Sequence, residues 1–322
     1  MDDAVGGKGA ARRAAEASLR GARDGARTIW FLLKIIVPIT FLVELLGWSG
    51  FLERLSTWLS PAMGLLGLPG GAALAFLSGA LLNNYSAIAV AGSLGLGGRE
   101  MTILAIMCLC AHNLLVETAV MRKSGSSALK MLAIRLGTAL LAGWAFNLLL
   151  PDSLGGRALA AATPGARPDF AHMTLAWLLS TARLSLKIVA IVLGIMVAQR
   201  LLEEFKAMDF LSKLFAPLMR IFGLGERASF LWIVINVVGY AYGAGIIVEQ
   251  IESGRMKRQE GDLFNHHASV CHSLIEDTAL FAAVGAAFVW ITLPRFVLAI
   301  AVVWLERARR HYVRRSFRVG VG

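Results

Sequence analysis

The chain has 322 residues, of which 57% are hydrophobic and only 16% are charged, and its formal net charge is +11. This composition excludes an ordinary soluble globular domain, and the hydrophobic runs reach the length needed to cross a bilayer. The ten-residue alternating segments of a transmembrane β-barrel are absent from the sequence. We therefore predict an all-α, polytopic integral membrane protein whose first partner is the lipid bilayer.

Much of the positive charge lies at the two ends of the chain. Five arginines precede the first apolar run, and six follow the last one. Basic segments that flank membrane spans obey the positive-inside rule and contact anionic lipid, so we expect no nucleic acid as a partner. We predict cytoplasmic segments at 1–27 and 307–322 and a bacterial-type cytoplasmic (inner) membrane. Residues 1–27 lack the pattern of a cleaved signal peptide.

The first half of the chain, 28–150, contains a series of apolar segments. In order, these are a span at 28–48 with Pro38 inside it, an amphipathic helix at 51–68 expected in the membrane interface, a glycine-rich run at 68–98, and spans at 101–121 and 128–150. A polar segment, Asn83-Asn84-Tyr85-Ser86, interrupts the third of these. It is typical either of the turn of a re-entrant hairpin or of a polar patch on a straight helix.

The second half, 172–306, repeats this plan after a Pro-, Gly- and Ala-rich linker at 151–171. A shift of 160 residues aligns AHNLLVETAV (111–120) with CHSLIEDTAL (271–280). The same shift aligns Arg135 with Arg295, and the polar segment at 83–86 has a glycine-rich counterpart at 239–245. Each half is therefore predicted to hold about three crossing helices, one interfacial helix and one re-entrant or broken-helix hairpin.

The basic loops decide between the two interpretations of the polar segment. If 68–98 crossed the membrane fully, the basic loop at 122–130 would lie outside, against the positive-inside rule. If the segment enters and leaves on one side, that loop lies inside, and each half crosses an odd number of times. The second half is then inverted relative to the first, as in many secondary transporters with a site at the midplane.

These features resemble the Gate, or nucleoside-recognition, family of membrane proteins. The family includes the spore maturation A and B proteins and the membrane core of ferrous-iron transporter B, with concentrative nucleoside transporters as more distant relatives. The resembling parts are the interfacial helices ending at Pro61 and Pro217, the polar segments at 83–86 and 239–245, and the two histidine motifs. The resemblance implies a transporter or a gate and names no solute. The chain has no GxxxxGK[ST] motif for a GTP-binding domain.

Ionisable side chains inside apolar helices are costly, so they are usually paired or functional. Glu117 and Arg135 lie at equal distances from the turn between their helices, as do Asp277 and Arg295, which predicts two structural ion pairs. The alternative is a site shared by both halves. There His112, His272, Glu117 and Asp277, with Cys110 or Cys271 near, would offer the donors that suit a transition metal, or the histidines would relay protons.

Polar residues around the histidines and the interrupted segments are predicted to bind the solute. One alternative is that the glycines of these segments serve close helix packing and that Asn83 and Asn236 bond across helices. The full predicted set is Asn83, Asn84, Tyr85, Ser86, His112, Asn113, Glu117, Thr118, Asn236, Tyr240, Tyr242, His272, Ser273, Glu276, Asp277 and Thr278. On the assumption of unbroken helices, Asn113 shares a face with Glu117, Ser273 with Asp277 and His272 with Glu276.

The sequence leaves three functions open. We expect a secondary carrier for a small polar solute or ion, with a divalent-metal permease and a non-transporting gate or scaffold of the spore-maturation type as alternatives. An enzyme is not expected, since no HExxH, GxSxG, P-loop or dinucleotide motif is present. No resident cofactor is expected, a divalent metal or a coupling ion stays open, and so does assembly into a homo-oligomer.

Overall fold

A computed structural model describes residues 2–154 and 169–319, and this part of the chain is helical, with no strand in either range. The predicted all-α class is confirmed. Five apolar helical stretches within the described ranges are long enough to cross a membrane, and the shortest, Ala128–Leu149, has 22 residues. At about 1.5 Å per residue such a helix spans the hydrocarbon core, about 30 Å thick. The protein is a polytopic membrane protein.

The first half contains seven helices. They are α1 (Asp2–Trp48), α2 (Phe51–Gly64), α3 (Ala72–Leu81), α4 (Asn84–Gly92), α5 (Gly98–Ala111), α6 (Leu114–Lys123) and α7 (Ala128–Leu149).

The second half contains seven more, with a 3₁₀ turn at Glu226–Ala228. They are α8 (Phe170–Glu204), α9 (Ala207–Ile221), α10 (Ser229–Val237), α11 (Tyr240–Glu252), α12 (Arg258–Ala268), α13 (Glu276–Ala283) and α14 (Phe288–Val319).

The chain reverses direction between α3 and α4. Asn83 is extended and accepts a hydrogen bond from the Ser86 amide, which ends one helix and begins the next. A Cβ added at Gly79 would lie 2.9 Å from Ala87 Cβ, a contact that a straight helix would not allow. The interpretation of 68–98 as a straight helix is therefore wrong, and the two short helices form a hairpin.

The second polar segment makes the same reversal between α10 and α11. Gly239 has φ +112°, in the region that favours glycine, and it separates the two helices. A Cβ added at Gly243 would overlap the Ile235 side chain, so the two helices also lie against each other. Each half therefore contains one helical hairpin, in agreement with the repeat found in the sequence.

Both histidine motifs break their helices, which the sequence analysis did not predict. Asn113 has φ +49° between α5 and α6, and Ser273 has φ +50° between α12 and α13. The assumption of unbroken helices is wrong at these two motifs, because the backbone leaves the right-handed helical conformation at Asn113 and at Ser273. Each break exposes helix-end carbonyl and amide groups within the protein.

The first helices of the two halves, α1 and α8, pack closely along their length. A Cβ added at Gly21 would lie 2.7 Å from the backbone of Met196, so these backbones are in direct contact. Ion pairs link the N-terminal part of α1 to the C-terminal end of α8, since Arg13 and Arg20 lie 2.8 and 2.7 Å from Glu204. This pair of helices joins the two halves of the molecule.

The predicted domain boundaries fall partly within continuous helices. Helix α1 runs without interruption through residues 27 and 28, and α14 runs through 306 and 307. The predicted linker lies between α7 and α8, but residues 155–168 are outside the described ranges. In the C-terminal segment, the side chains from residue 313 onward are also outside them.

Candidate functional site

The two twin histidines meet at the centre of the molecule. His112 Nε2 lies 3.1 Å from His272 Nε2, and both residues are buried. Each ring places Nδ1 against a carbonyl oxygen four residues earlier, at 3.0 Å from Cys108 O and 2.6 Å from Ala268 O. A carbonyl oxygen only accepts hydrogen bonds, so each Nδ1 must carry a proton. The two Nε2 atoms therefore face each other, and when both rings are neutral each Nε2 presents a lone pair to the other.

Carboxylates surround this pair of nitrogens. Glu117 Oε1 lies 3.4 Å from His112 Nε2, and Glu117 Oε2 lies 3.3 Å from His272 Nε2. Asp277 Oδ2 lies 3.4 Å from His112 Nε2. Five acceptor atoms from four buried side chains thus converge. Like acceptors repel one another in a low-dielectric interior, so a proton or a cation between them would stabilise the arrangement.

The cluster has the donor set of a transition-metal site. The ligand atoms of His112, Glu117 and His272 lie within 4.8 Å of one another. Two nitrogens held by one tetrahedral metal ion at about 2.0–2.1 Å would lie about 3.3 Å apart, close to the observed 3.1 Å. Cys110 and Cys271 are buried, but their thiols are not among the converging atoms, so the expected thiolate ligand is not in place.

Two buried arginines hold the broken ends of the histidine helices. Arg135 donates to Cys110 O at 3.2 Å and to His112 O at 2.5 Å. Arg295 donates in the same way to the carbonyls of Val270 and His272. These guanidinium groups satisfy the helix-end carbonyls that the breaks leave without helical partners.

Only one of the two predicted ion pairs forms. Arg135 Nη2 lies 2.8 Å from Glu117 Oε2. The predicted pair Asp277–Arg295 is wrong, since it is not among the ion pairs of the described residues. Arg295 Nη1 instead donates to Thr278 Oγ1 at 3.4 Å, and the Asp277 carboxylate faces His112.

The histidine breaks are attached to the hairpins through the backbone. The Asn113 amide donates to Gly79 O at 2.9 Å, and the Ser273 amide donates to Ile235 O at 3.0 Å. Asn113 and Ser273 thus attach the two motifs to the hairpins through their main-chain amides. A movement of either hairpin would act directly on the adjacent histidine.

At the tip of the first hairpin, Tyr85 contacts an acid beside the cluster, whereas the Asn84 side chain has no hydrogen-bond partner. The Tyr85 hydroxyl donates to the Glu276 carboxylate, next to Asp277. Asn84 is 2% exposed, and neither its amide nitrogen nor its amide oxygen has a partner. Asn83 and Ser86 bond to each other, so they shape the turn.

Residues near the tip of the second hairpin form hydrogen bonds and a ring contact with the neighbouring helices. Asn236 donates to Trp232 O and accepts from the Leu274 amide, which supports the structural alternative for this residue. The Tyr240 hydroxyl donates to Asn265 Oδ1, and its ring centroid lies 5.3 Å from that of His272. The Tyr242 side chain lies outside the described part of the chain.

Sequence reasoning missed a second polar group at one end of the bundle. Asp262, His266 and Glu306 place ligand-type atoms within 4.8 Å of one another. Glu306 is already paired with Lys130, at 2.6 Å, and with Arg310, at 2.7 Å. The signal in the sequence is Glu306, an acid at the end of an apolar run and directly before the basic segment at 307–322.

The comparisons with known proteins agree with this architecture. Residues 29–128 match the Gate family, whose description is "Nucleoside recognition". The chain is 32% identical over 298 residues to a protein of Bacillus subtilis (strain 168) named "Uncharacterized membrane protein YvoD". That alignment covers 89% of this chain and 94% of the relative.

Proposed function

Because this chain belongs to the Gate family of membrane proteins, we propose that it is a secondary carrier with two inverted repeats. The carrier moves a small polar solute or ion through a site between the halves. In this proposal His112 and His272 form the centre of the site. Glu117 and Asp277 complete it. The protein catalyses no covalent reaction.

One observation carries the proposal: the two Nε2 atoms face each other at 3.1 Å among carboxylate oxygens. Such a cluster stabilises a fold poorly, since buried acceptors without donors cost free energy. It binds a cation well. A proton shared by the rings would make it a coupling site, and a metal ion would make it a cargo site.

The broken helices support a carrier with inverted repeats. Helix breaks at the midplane are the usual binding sites of secondary transporters, because helix ends present backbone groups to the solute. Four interruptions, at 82–83, 112–113, 238–239 and 269–275, lie in corresponding places of the two halves. The unpartnered amide of Asn84 at the first of these provides a donor nitrogen and an acceptor oxygen for a polar solute.

The charge distribution supports cytoplasmic termini in an inner membrane. The exposed Arg122 and Lys123 lie in the last turn of α6, and the arginines of α1 precede its apolar part. An inverted arrangement places both groups on the cytoplasmic side. The turn between α13 and α14 carries no charged residue at 284–287 and lies outside in this arrangement.

A divalent-metal permease is the second candidate, and the imidazole and carboxylate donors favour it. Flux into proteoliposomes separates the candidates. Nucleosides, organic anions, Zn²⁺ and Mn²⁺ are tested one at a time, with and without a pH gradient. Metal uptake without nucleoside uptake would favour the permease, and uptake of a polar solute driven by protons would favour the carrier.

The double variant H112A/H272A tests the site itself. We expect it to lose uptake and cation binding while the protein stays folded. H172A is the matched control, because His172 is exposed at the start of α8 and pairs only with Asp169. Retained uptake in the double variant would refute a direct role of the histidines. Absence of binding and flux for every compound in the wild type would favour a scaffold that acts on another protein or on a second copy.

A further inference from the structure

A groove lies between α6 and α7 on the surface of the first half. Its volume is about 590 Å³. Its surroundings face the lipid, since Leu115 and Leu129 are 67% and 77% exposed. The lining is apolar except for one hydroxyl and two cations, and comprises Leu114, Leu115, Thr118, Ala119, Arg122, Lys123, Ala128 and Leu132.

The hydroxyl in this groove has no partner within the protein. Thr118 is 8% exposed, and its Oγ1 makes no hydrogen bond. Its twin Thr278 accepts a hydrogen bond from Arg295 Nη1, whereas the corresponding Nη1 of Arg135 is also without a partner. A buried hydroxyl without a hydrogen bond costs free energy, so an acceptor that reaches Thr118 Oγ1 by a small shift of this side chain toward the groove would be stabilised.

Two cations lie one helical turn beyond this hydroxyl. Arg122 and Lys123 occupy the last turn of α6 and are exposed, and neither has an ion pair among the described residues. Four residues of helix correspond to a rise of about 6 Å, so the cations and the Thr118 hydroxyl are spaced along one wall of the groove. This spacing matches a phosphate and the first ester group of a glycerophospholipid.

The second half provides an internal comparison. At the offset of 160 residues, Arg122 and Lys123 correspond to Ala282 and Ala283, and the small Ala128 corresponds to Phe288. The second half thus lacks both cations and places an aromatic ring where the first half leaves space. The two cations are therefore a feature of the first half and do not follow from the repeated sequence.

We propose that this groove binds one anionic phospholipid. Its phosphate lies between Arg122 and Lys123, and a glycerol ester carbonyl accepts a hydrogen bond from Thr118. One acyl chain packs along the leucines and alanines of the groove. Anionic headgroups of the inner leaflet attract basic residues at a membrane surface, and the apolar lining suits a chain and excludes a free phosphate ion. The proposal concerns the lipid-facing surface and does not depend on what the central site carries.

The test is native mass spectrometry of the delipidated protein, titrated with phosphatidylglycerol or with phosphatidylcholine of the same chain length. We expect one phosphatidylglycerol to bind at least tenfold more tightly than phosphatidylcholine. In R122Q/K123Q that preference falls about 10- to 30-fold, as expected for two basic groups near an anionic lipid. In A128F, which introduces the ring found in the second half, binding of both lipids is lost.

The control is R220Q/R227Q, which removes two exposed arginines elsewhere. We expect it to bind phosphatidylglycerol as the wild type does. If R122Q/K123Q and the control lose equal amounts of affinity for phosphatidylglycerol, the attraction depends on total charge and not on this groove, and the proposal is overturned. A wild type with no preference for phosphatidylglycerol would also overturn it. Thermal unfolding of each variant without lipid verifies the fold, and T118V provides a milder change that should weaken both lipids several-fold.

Discussion

The twin acids Glu117 and Asp277 provide a sharp test of the structure, because the repeat makes them equivalent and the contacts make them different. Glu117 pairs with Arg135 and lies beside both histidines. The Asp277 carboxylate lies 3.4 Å from His112 Nε2 and has no arginine partner among the described residues. We compare Glu117→Gln with Asp277→Asn, since each replacement keeps the shape of the side chain and removes its charge.

The expected magnitudes follow from what each change leaves behind. Arg135 is wholly buried, and without Glu117 it becomes a buried charge with no counter-ion. Breaking a buried pair in this way costs about 3–5 kcal/mol. The loss of one long contact in Asp277→Asn costs about 1 kcal/mol. The difference of at least about 2 kcal/mol exceeds tenfold in the unfolding equilibrium.

Equilibrium unfolding in mixed detergent micelles, followed by tryptophan fluorescence, measures both free energies of unfolding. A double variant, E117Q/R135M, is the control, since replacing both members of a buried pair is often close to neutral. We expect it to recover part of the stability that E117Q loses. Equal losses in E117Q and D277N would refute the asymmetric pairing, and so would an E117Q protein as stable as the wild type.

Four further outcomes are expected from the hairpin and the repeat. Asn83→Ala should lower the free energy of unfolding by about 1 kcal/mol through loss of a helix cap, measured by the same unfolding assay. Asn84→Ala should leave stability within about 0.5 kcal/mol but weaken solute binding, and the reverse pattern would contradict these roles. Tyr85→Phe should speed solute exchange in proteoliposomes, because the hydrogen bond from the tip across the site is lost; unchanged exchange would contradict this role. Cysteines at Ser127 and Ala287 should react with an impermeant reagent from opposite sides of the membrane, and labelling from the same side would defeat the inverted arrangement.

The sequence predicted the parts of the fold that are encoded by composition and repetition. The apolar runs predicted the helices that cross the membrane, and the polar residues at 83–86 predicted a break in a helix. The match between residues 111–120 and 271–280 pointed to the histidines that meet in the structure. Such signals are local or periodic, so they can be read without knowledge of the packing.

What the sequence did not predict depends on backbone conformation and on competition between partners. Nothing in AHNLLVETAV shows that Asn113 leaves the helix, because its left-handed conformation is fixed by the contact of its amide with Gly79. The pairing of Asp277 with Arg295 was equally reasonable from spacing, but the carbonyl of His272 and the hydroxyl of Thr278 take that guanidinium. Both outcomes require the positions of the neighbouring helices.

The central cluster has an uneven balance of formal charge. Two guanidinium groups, of Arg135 and Arg295, lie near three carboxyl groups, of Glu117, Glu276 and Asp277. With neutral imidazoles and ionised carboxyls, the empty cluster carries −1, and one proton or monovalent cation brings it to zero. In the proposed carrier the unloaded protein would therefore move charge through the electric field of the membrane, and the loaded protein would not. Each elementary charge that crosses 100 mV corresponds to about 2.3 kcal/mol, so voltage would act on the return step of the cycle.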